Sequence, residues 1–185
     1  KEYADTATYG KMVLEKYYDQ YSPTWSEDIR YDTEYRIRDI HIQGVPVTGF
    51  IDRVDKKDHS IVVYDYKSGK TDKFREKLKA PDDKSNGGDY WRQMVFYDLM
   101  LIQDPKYHTH MDHGWLQALE PEKDGTFKQH KVVVTTEDRE IVTRQIVDTY
   151  QKIQNMEFNT GCGKCQWCEM HGIVAIPADA EEQGD

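Results

Sequence analysis

The sequence predicts an α/β fold, a central mixed β-sheet flanked by helices, with a Cys-rich C-terminal tail. Three observations predict it. Apolar residues recur at helical spacing in three separate stretches. Between the first two of these, three consecutive runs alternate or concentrate apolar residues as strands do. The resulting order of helix, three-strand meander, helix, two strands, helix is that of a mixed sheet with helices packed against it. The 185 residues suit one domain with one core. The main domain is drawn over residues 1–160, and residues 161–185 form a Cys-rich segment and an acidic tail.

Each element has its own signal. Val13, Leu14, Tyr17, Tyr18 and Tyr21 make residues 9–21 an amphipathic helix, and Ser22-Pro23 stops it. Tyr31, Thr33, Tyr35 and Ile37, then Ile40 and Ile42, alternate from Arg30 to Gln43 and predict a half-buried strand bent near Asp39. Gly44-Val45 turns the chain into a second strand over 47–54, and Lys56-Lys57-Asp58-His59 is a polar hairpin tip. Ser60–Lys67 is a third strand, and its run Ile61-Val62-Val63-Tyr64 predicts burial on both faces. Residues 68–89 are weakly patterned and rich in Gly, Lys and Asp, so a mobile loop is expected over 71–88. A strong helix follows from Tyr90 to Leu101, then strands near 112–119 and 127–134. Thr135-Thr136-Glu137-Asp138 caps a last helix over about 137–156.

Composition excludes several classes. Charged residues are 32% of the chain, against about 25% in an average domain, so the surface is wet and the core modest. Apolar runs reach only a few residues where a membrane span needs about 20, so no membrane partner is expected. The start, Lys1-Glu2-Tyr3-Ala4-Asp5, has no apolar stretch of a signal peptide and no initiating Met, which favours a segment of a larger protein. The three Cys are Cys162, Cys165 and Cys168, a poor disulfide framework and a fair metal-ligand set, which reads as a reducing, cytoplasmic setting. The net charge of −9 argues against a protein that grips nucleic acid by overall charge. Locally, residues 67–92 carry six Lys and two Arg against five Asp or Glu, and local field outweighs the total.

Chemistry concentrates in two runs, Gly49-Phe50-Ile51-Asp52-Arg53-Val54-Asp55 and Val62-Val63-Tyr64-Asp65-Tyr66-Lys67-Ser68-Gly69-Lys70. They are adjacent strands of one hairpin. Asp65 and Lys67, two residues apart, share a face, and pairing of the hairpin brings Asp52 near them. Two close carboxylates repel each other, and a divalent cation removes that cost. Hard oxygen ligands suit Mg²⁺ or Mn²⁺. A lysine beside such a metal orients or helps deprotonate a water, or stabilises charge on a phosphate. The layout is that of metal-assisted phosphodiester hydrolysis. Gln93 and Tyr97 lie four apart on one helix face. Tyr90, Trp91 and Tyr97 suit either stacking on bases or core packing, with core packing the better fit for Trp91.

The order G-x-x-D-R-x-D, then an apolar run ending D-Y-K-S-G-K, then Q-x-x-x-Y and a Cys-rich tail resembles the RecB-like nuclease domains of the PD-(D/E)XK superfamily over roughly residues 9–172. The resemblance implies a nuclease core over 1–160 in which Asp52 and Asp65 are metal ligands, the Tyr66 backbone carbonyl is a further ligand and Lys67 is the catalytic lysine. It implies that Gln93 and Tyr97 face the active site and the DNA backbone. It further implies a Mg²⁺- or Mn²⁺-dependent deoxyribonuclease of exonuclease type, with DNA and the helicase domains of the same parent protein as partners, acting in DNA repair or recombination. A free-standing phage or CRISPR-associated exonuclease is the alternative, as is an inactive DNA-binding module. The sequence departs from the family at the first helix, where a metal-binding His is usual and none occurs before His41. Glu15 is the substitute, or a solvated helix carboxylate, and Glu34 matches a Glu of the family's first strand or is a strand-surface carboxylate. Some relatives hold a four-iron cluster with three tail Cys and one upstream Cys, which this chain lacks. The tail therefore reads in three ways: no metal, an iron–sulfur cluster completed elsewhere, or Zn²⁺ held by Cys162, Cys165, Cys168 and His171.

Overall fold

The computed structural model describes residues 2–69, 71–83, 85–157 and 165–170. The chain divides into two compact units, residues 1–144 and 145–185. In the first, α1 (Glu2–Tyr21) passes through a 3-10 turn at Ser22–Thr24 into β1 (Arg30–Ile42), β2 (Val45–Lys57) and β3 (Ser60–Lys67). A 3-10 turn at Thr71–Lys73 and α2 (Phe74–Lys77) precede α3 (Asp89–Gln103), β4 (His113–Pro121), β5 (Phe127–Val132) and the first half of α4 (Thr136–Gln154). The second unit holds the rest of α4 and α5 (Gln166–Met170). Among the described residues no helix is long and apolar enough to cross a membrane.

The five strands form one sheet in the order β1-β2-β3-β4-β5. All neighbours are antiparallel except β3 and β4, which are parallel. A parallel pair needs a crossover connection, and α2 with α3 supplies it. The mixed sheet with flanking helices is therefore the expected fold class. Tight turns make the meander. Gln43 and Gly44, at φ +49° and +80°, join Ile42 to Val45, the doubly left-handed turn whose twist matches a hairpin.

Two irregularities in β1 shape the sheet. The bend expected near Asp39 is there: Asp39 has φ +57° and the β1–β2 register shifts between Ile37 and Ile40. Thr33 pairs with Arg53 and Tyr35 with Ile51, and between them Glu34, at φ +50°, breaks the pleat opposite Asp52. Strict alternation would send Ile51 and Val54 to opposite faces, yet both are buried in the one core. That core joins Ile37, Ile51, Val54, Val63 and Leu116 of the sheet to Met94, Tyr97 and Leu101 of α3.

Two expectations are corrected. β3 is not buried on both faces: Ile61, Val63 and Asp65 are buried, while Val62, Tyr64 and Tyr66 are only partly covered. Tyr31 and Trp25, both exposed, lie over that second face with Arg53, which is mostly covered. Residues 71–88 are not a featureless loop. Phe74 is buried in the core, Thr71 is buried, and the Gly88 N–H donates to the Lys79 carbonyl at 2.9 Å. The cap of α4 is as expected, with Thr135 and Asp138 exchanging side-chain-to-backbone bonds of 2.9 and 3.1 Å.

Candidate active site

The paired part of β2 and β3 ends at Arg53 opposite Tyr64. One residue beyond, on the side toward α3, stand Asp52 and Asp65. The Tyr66 N–H donates to Asp52 Oδ2 at 2.7 Å, so the carboxylate occupies a backbone donor just where the strands part. Asp65 is 2% exposed. Its Oδ1 accepts a bond from the Tyr97 hydroxyl at 2.9 Å, and its Oδ2 lies 2.6 Å from Lys67 Nζ. That second contact is an ion pair without hydrogen-bond alignment, so Oδ2 is a buried oxygen with no directed donor. Lys67 Nζ donates to Gln93 Oε1 at 2.7 Å, and Gln93 Nε2 donates to the Tyr97 oxygen at 2.9 Å. Asp65, Lys67, Gln93 and Tyr97 thus form a closed circuit of polar contacts between β3 and α3.

Burial raises the Asp65 pKa; Lys67 and Tyr97 oppose the rise, and Asp52 adds to it. Burial likewise holds the Tyr97 hydroxyl well above its ordinary value, reinforced by Asp65 and Asp52, so it stays a donor. A cation between the two carboxylates relieves both costs, and the unaligned Oδ2 is an oxygen such an ion can use. The donor set of Asp52 and Asp65 fits a hard divalent ion such as Mg²⁺ or Mn²⁺. Among the described residues, no three His, Cys, Asp or Glu side chains gather as a metal-holding group.

The alternate residues of β2 face the other way. Arg53 Nε and NH2 bind the two oxygens of Asp55 at 2.6 and 2.7 Å. The guanidinium lies 4.8 Å from the Tyr64 ring centre, 5.4 Å from Tyr31 and 5.7 Å from Trp25. Tyr66 on the same face meets the Tyr17 ring of α1 edge-on at 6.1 Å. Arg53 and Asp55 of the motif therefore fasten the sheet's second face rather than join the carboxylates.

The family model for the PD-(D/E)XK nuclease superfamily matches residues 2–173. The chain belongs to the PD-(D/E)XK nuclease superfamily. Among solved structures, a protein from Eubacterium rectale named "putative exonuclease" has a TM-score of 0.52 at 13% identity, over 90% of this chain and 60% of its own. The structure of a protein designated SSO0001 has a TM-score of 0.41 at 18% identity, over 73% of this chain and 56% of its own. The chain spans about 60% of the length of these neighbours or less. No curated protein matches it.

In this PD-(D/E)XK domain, Asp52, Asp65, Lys67, Gln93 and Tyr97 come together from three elements. Glu15 does not join them. Its carboxylate is 65% exposed and sits 3.9 Å from Lys11, one turn back on α1. Glu34 is exposed at the β1 irregularity. Trp91 is buried and donates from its indole to Asp138 at 3.0 Å, the core role expected of it. Cys162 and His171 lie outside the described residues. Cys165 and Cys168 have sulfurs 3.5 Å apart at the start of α5. Sequence reasoning missed the place of Tyr90, whose ring centre is 4.8 Å from Lys67 Nζ. Its spacing three residues before Gln93 and seven before Tyr97 puts it on the same helix face and was a usable signal.

Proposed function

We propose that this domain is a Mg²⁺- or Mn²⁺-dependent deoxyribonuclease that hydrolyses phosphodiester bonds, and that it serves as the RecB-like nuclease domain of a larger DNA helicase–nuclease in repair or recombination. One observation carries the chemistry: two carboxylates where β2 and β3 part, one of them deeply buried, meet a lysine held by Asp65, Gln93 and Tyr90. Asp52, Asp65 and the Tyr66 carbonyl would hold the metal, which when bound supplies Lewis-acid activation of water and phosphate. The chain's own residues position the rest. Lys67 Nζ presents a fixed positive charge for a phosphate oxygen or an attacking water. Gln93 and Tyr97 hold that ammonium and the Asp65 carboxylate in one orientation. Exonuclease action is supported by the name of the Eubacterium rectale neighbour, and the helicase parent rests on the resemblance to RecB-like domains. The Cys segment is proposed to complete an iron–sulfur cluster with a Cys outside this sequence; about one zinc per chain in the isolated domain would favour the His171 site instead.

A second reading, a DNA-binding module that does not cut, draws on Glu15 standing apart from the two aspartates. End-labelled single- and double-stranded DNA, incubated with the domain and Mg²⁺, Mn²⁺ or EDTA, separates the two. Metal-dependent cleavage abolished by Asp65→Asn supports the nuclease; binding without cleavage in either metal rejects it.

A further inference from the structure

Beside the carboxylates and Lys67 stands a second lysine that the chemistry above does not use. Lys77, at the end of α2, places its Nζ 4.6 Å from the centre of the Tyr90 ring. The Lys67 ammonium sits 4.8 Å from that same centre. Two ammonium groups on one ring repel each other, and negative charge nearby relieves the repulsion. Asp65 meets the charge of Lys67. Among the described residues no carboxylate lies within ion-pairing distance of Lys77.

The placement is built, not incidental. Phe74, fully buried, packs edge-on against the Tyr90 ring at 5.3 Å and fixes α2 over the start of α3. Gly88 lets the two backbones touch: a Cβ there would stand 2.1 Å from the Lys77 carbonyl oxygen. A cation held on an aromatic face next to a reaction centre, lacking its own counter-ion, is a site for an anion.

Resting on the nuclease reading, we propose that Lys77, seated on Tyr90, binds a backbone phosphate of the nucleic-acid strand next to the one positioned at Lys67. The pair of lysines then grips two points of one strand, and Lys77 contributes to binding without touching the reacting atoms.

The test measures binding of a fluorescent single-stranded oligonucleotide against salt concentration, with EDTA present so that nothing is cut, together with steady-state cleavage in Mg²⁺. Lys77→Gln should weaken binding roughly fivefold at 0.1 M salt and flatten the log–log salt dependence by about 0.7. Its KM should rise with kcat within about twofold. Lys77→Arg should restore both slope and KM, which a purely structural role would not produce. An unchanged slope and KM in Lys77→Gln overturns the proposal, whatever the wild type cuts. A flattened slope in Lys77→Gln, when the wild type binds but never cuts, leaves the phosphate seat standing and removes the nuclease reading. A wild type that does not bind DNA removes both.

Discussion

A carboxylate with 2% exposure has surrendered nearly all of its water, and Asp65 regains only one directed hydrogen bond in exchange. Its raised pKa says that the charged form is disfavoured in the fold despite Lys67. The sign follows from linkage. A carboxyl whose folded pKa lies above its unfolded value of 3.8 weakens the fold at neutral pH, and the loss is recovered as pH falls through the folded value. Asp65→Asn should therefore keep a Tm at or above the wild type's while abolishing cleavage. A fall of more than about 4 °C, roughly 1 kcal/mol or more, would show that the ion pair outweighs desolvation. Millimolar Mn²⁺ should raise the Tm of the wild type but not of Asp65→Asn, because only the folded, ionised carboxylate gains from the cation. Asp52, Asp65 and Lys67 were legible in the sequence because strand alternation and a short hairpin dictate where they meet. Lys77 was not, because its position depends on how a weakly patterned segment folds back.

That segment shows why some elements are readable and others are not. Helices of 15 to 20 residues and strands of 8 to 13 repeat their pattern several times. The turn at Thr71–Lys73 and α2 have three and four residues, too few to display a period. What orders them is tertiary: Phe74 in the core and the backbone contact at Gly88. Two glycines then make a contrast. An added Cβ at Gly49 would stand 2.8 Å from the sulfur and terminal carbon of Met100, the yielding end of a flexible side chain. At Gly88 it would meet the main chain of Lys77 at 2.1 Å. Gly88→Ala should cost about 1–3 kcal/mol in urea denaturation and shift α2 from α3, whereas Gly49→Ala should cost less. Equal losses would mean that the Gly88 contact is not what fixes α2.

At the scale of the whole molecule, titration couples stability to pH. Burial lowers the pKa of His113 on β4 and of His130 on β5, with Lys131 and Lys128 as lesser causes. Both resist protonation when folded, so the unfolded chain binds protons first below its ordinary 6.5, and stability declines as pH falls through the lowered values. Asp32 acts later: burial opposes its ionisation, but Lys106 and Tyr107 lower its pKa overall, so its contribution fades only below about 3.8. Melting curves should show Tm falling between pH 7.5 and 5, and His113→Asn with His130→Gln should flatten that slope. An unchanged slope in that double variant would rule out the two histidines as its cause. The division of β2 into two audiences has a consequence for descent. Asp52 speaks to the Tyr66 backbone beside Asp65, while Arg53 and Asp55 speak to Tyr64 and the aromatic face beside it. Two messages are interleaved in one stretch of chain, spelled on alternate letters. A single-letter deletion there transposes both at once, putting a guanidinium among the carboxylates and a carboxylate among the rings. Substitution in this strand keeps the two messages apart, whereas a change of length is better borne at the Asp58-His59 tip, where nothing is read in twos.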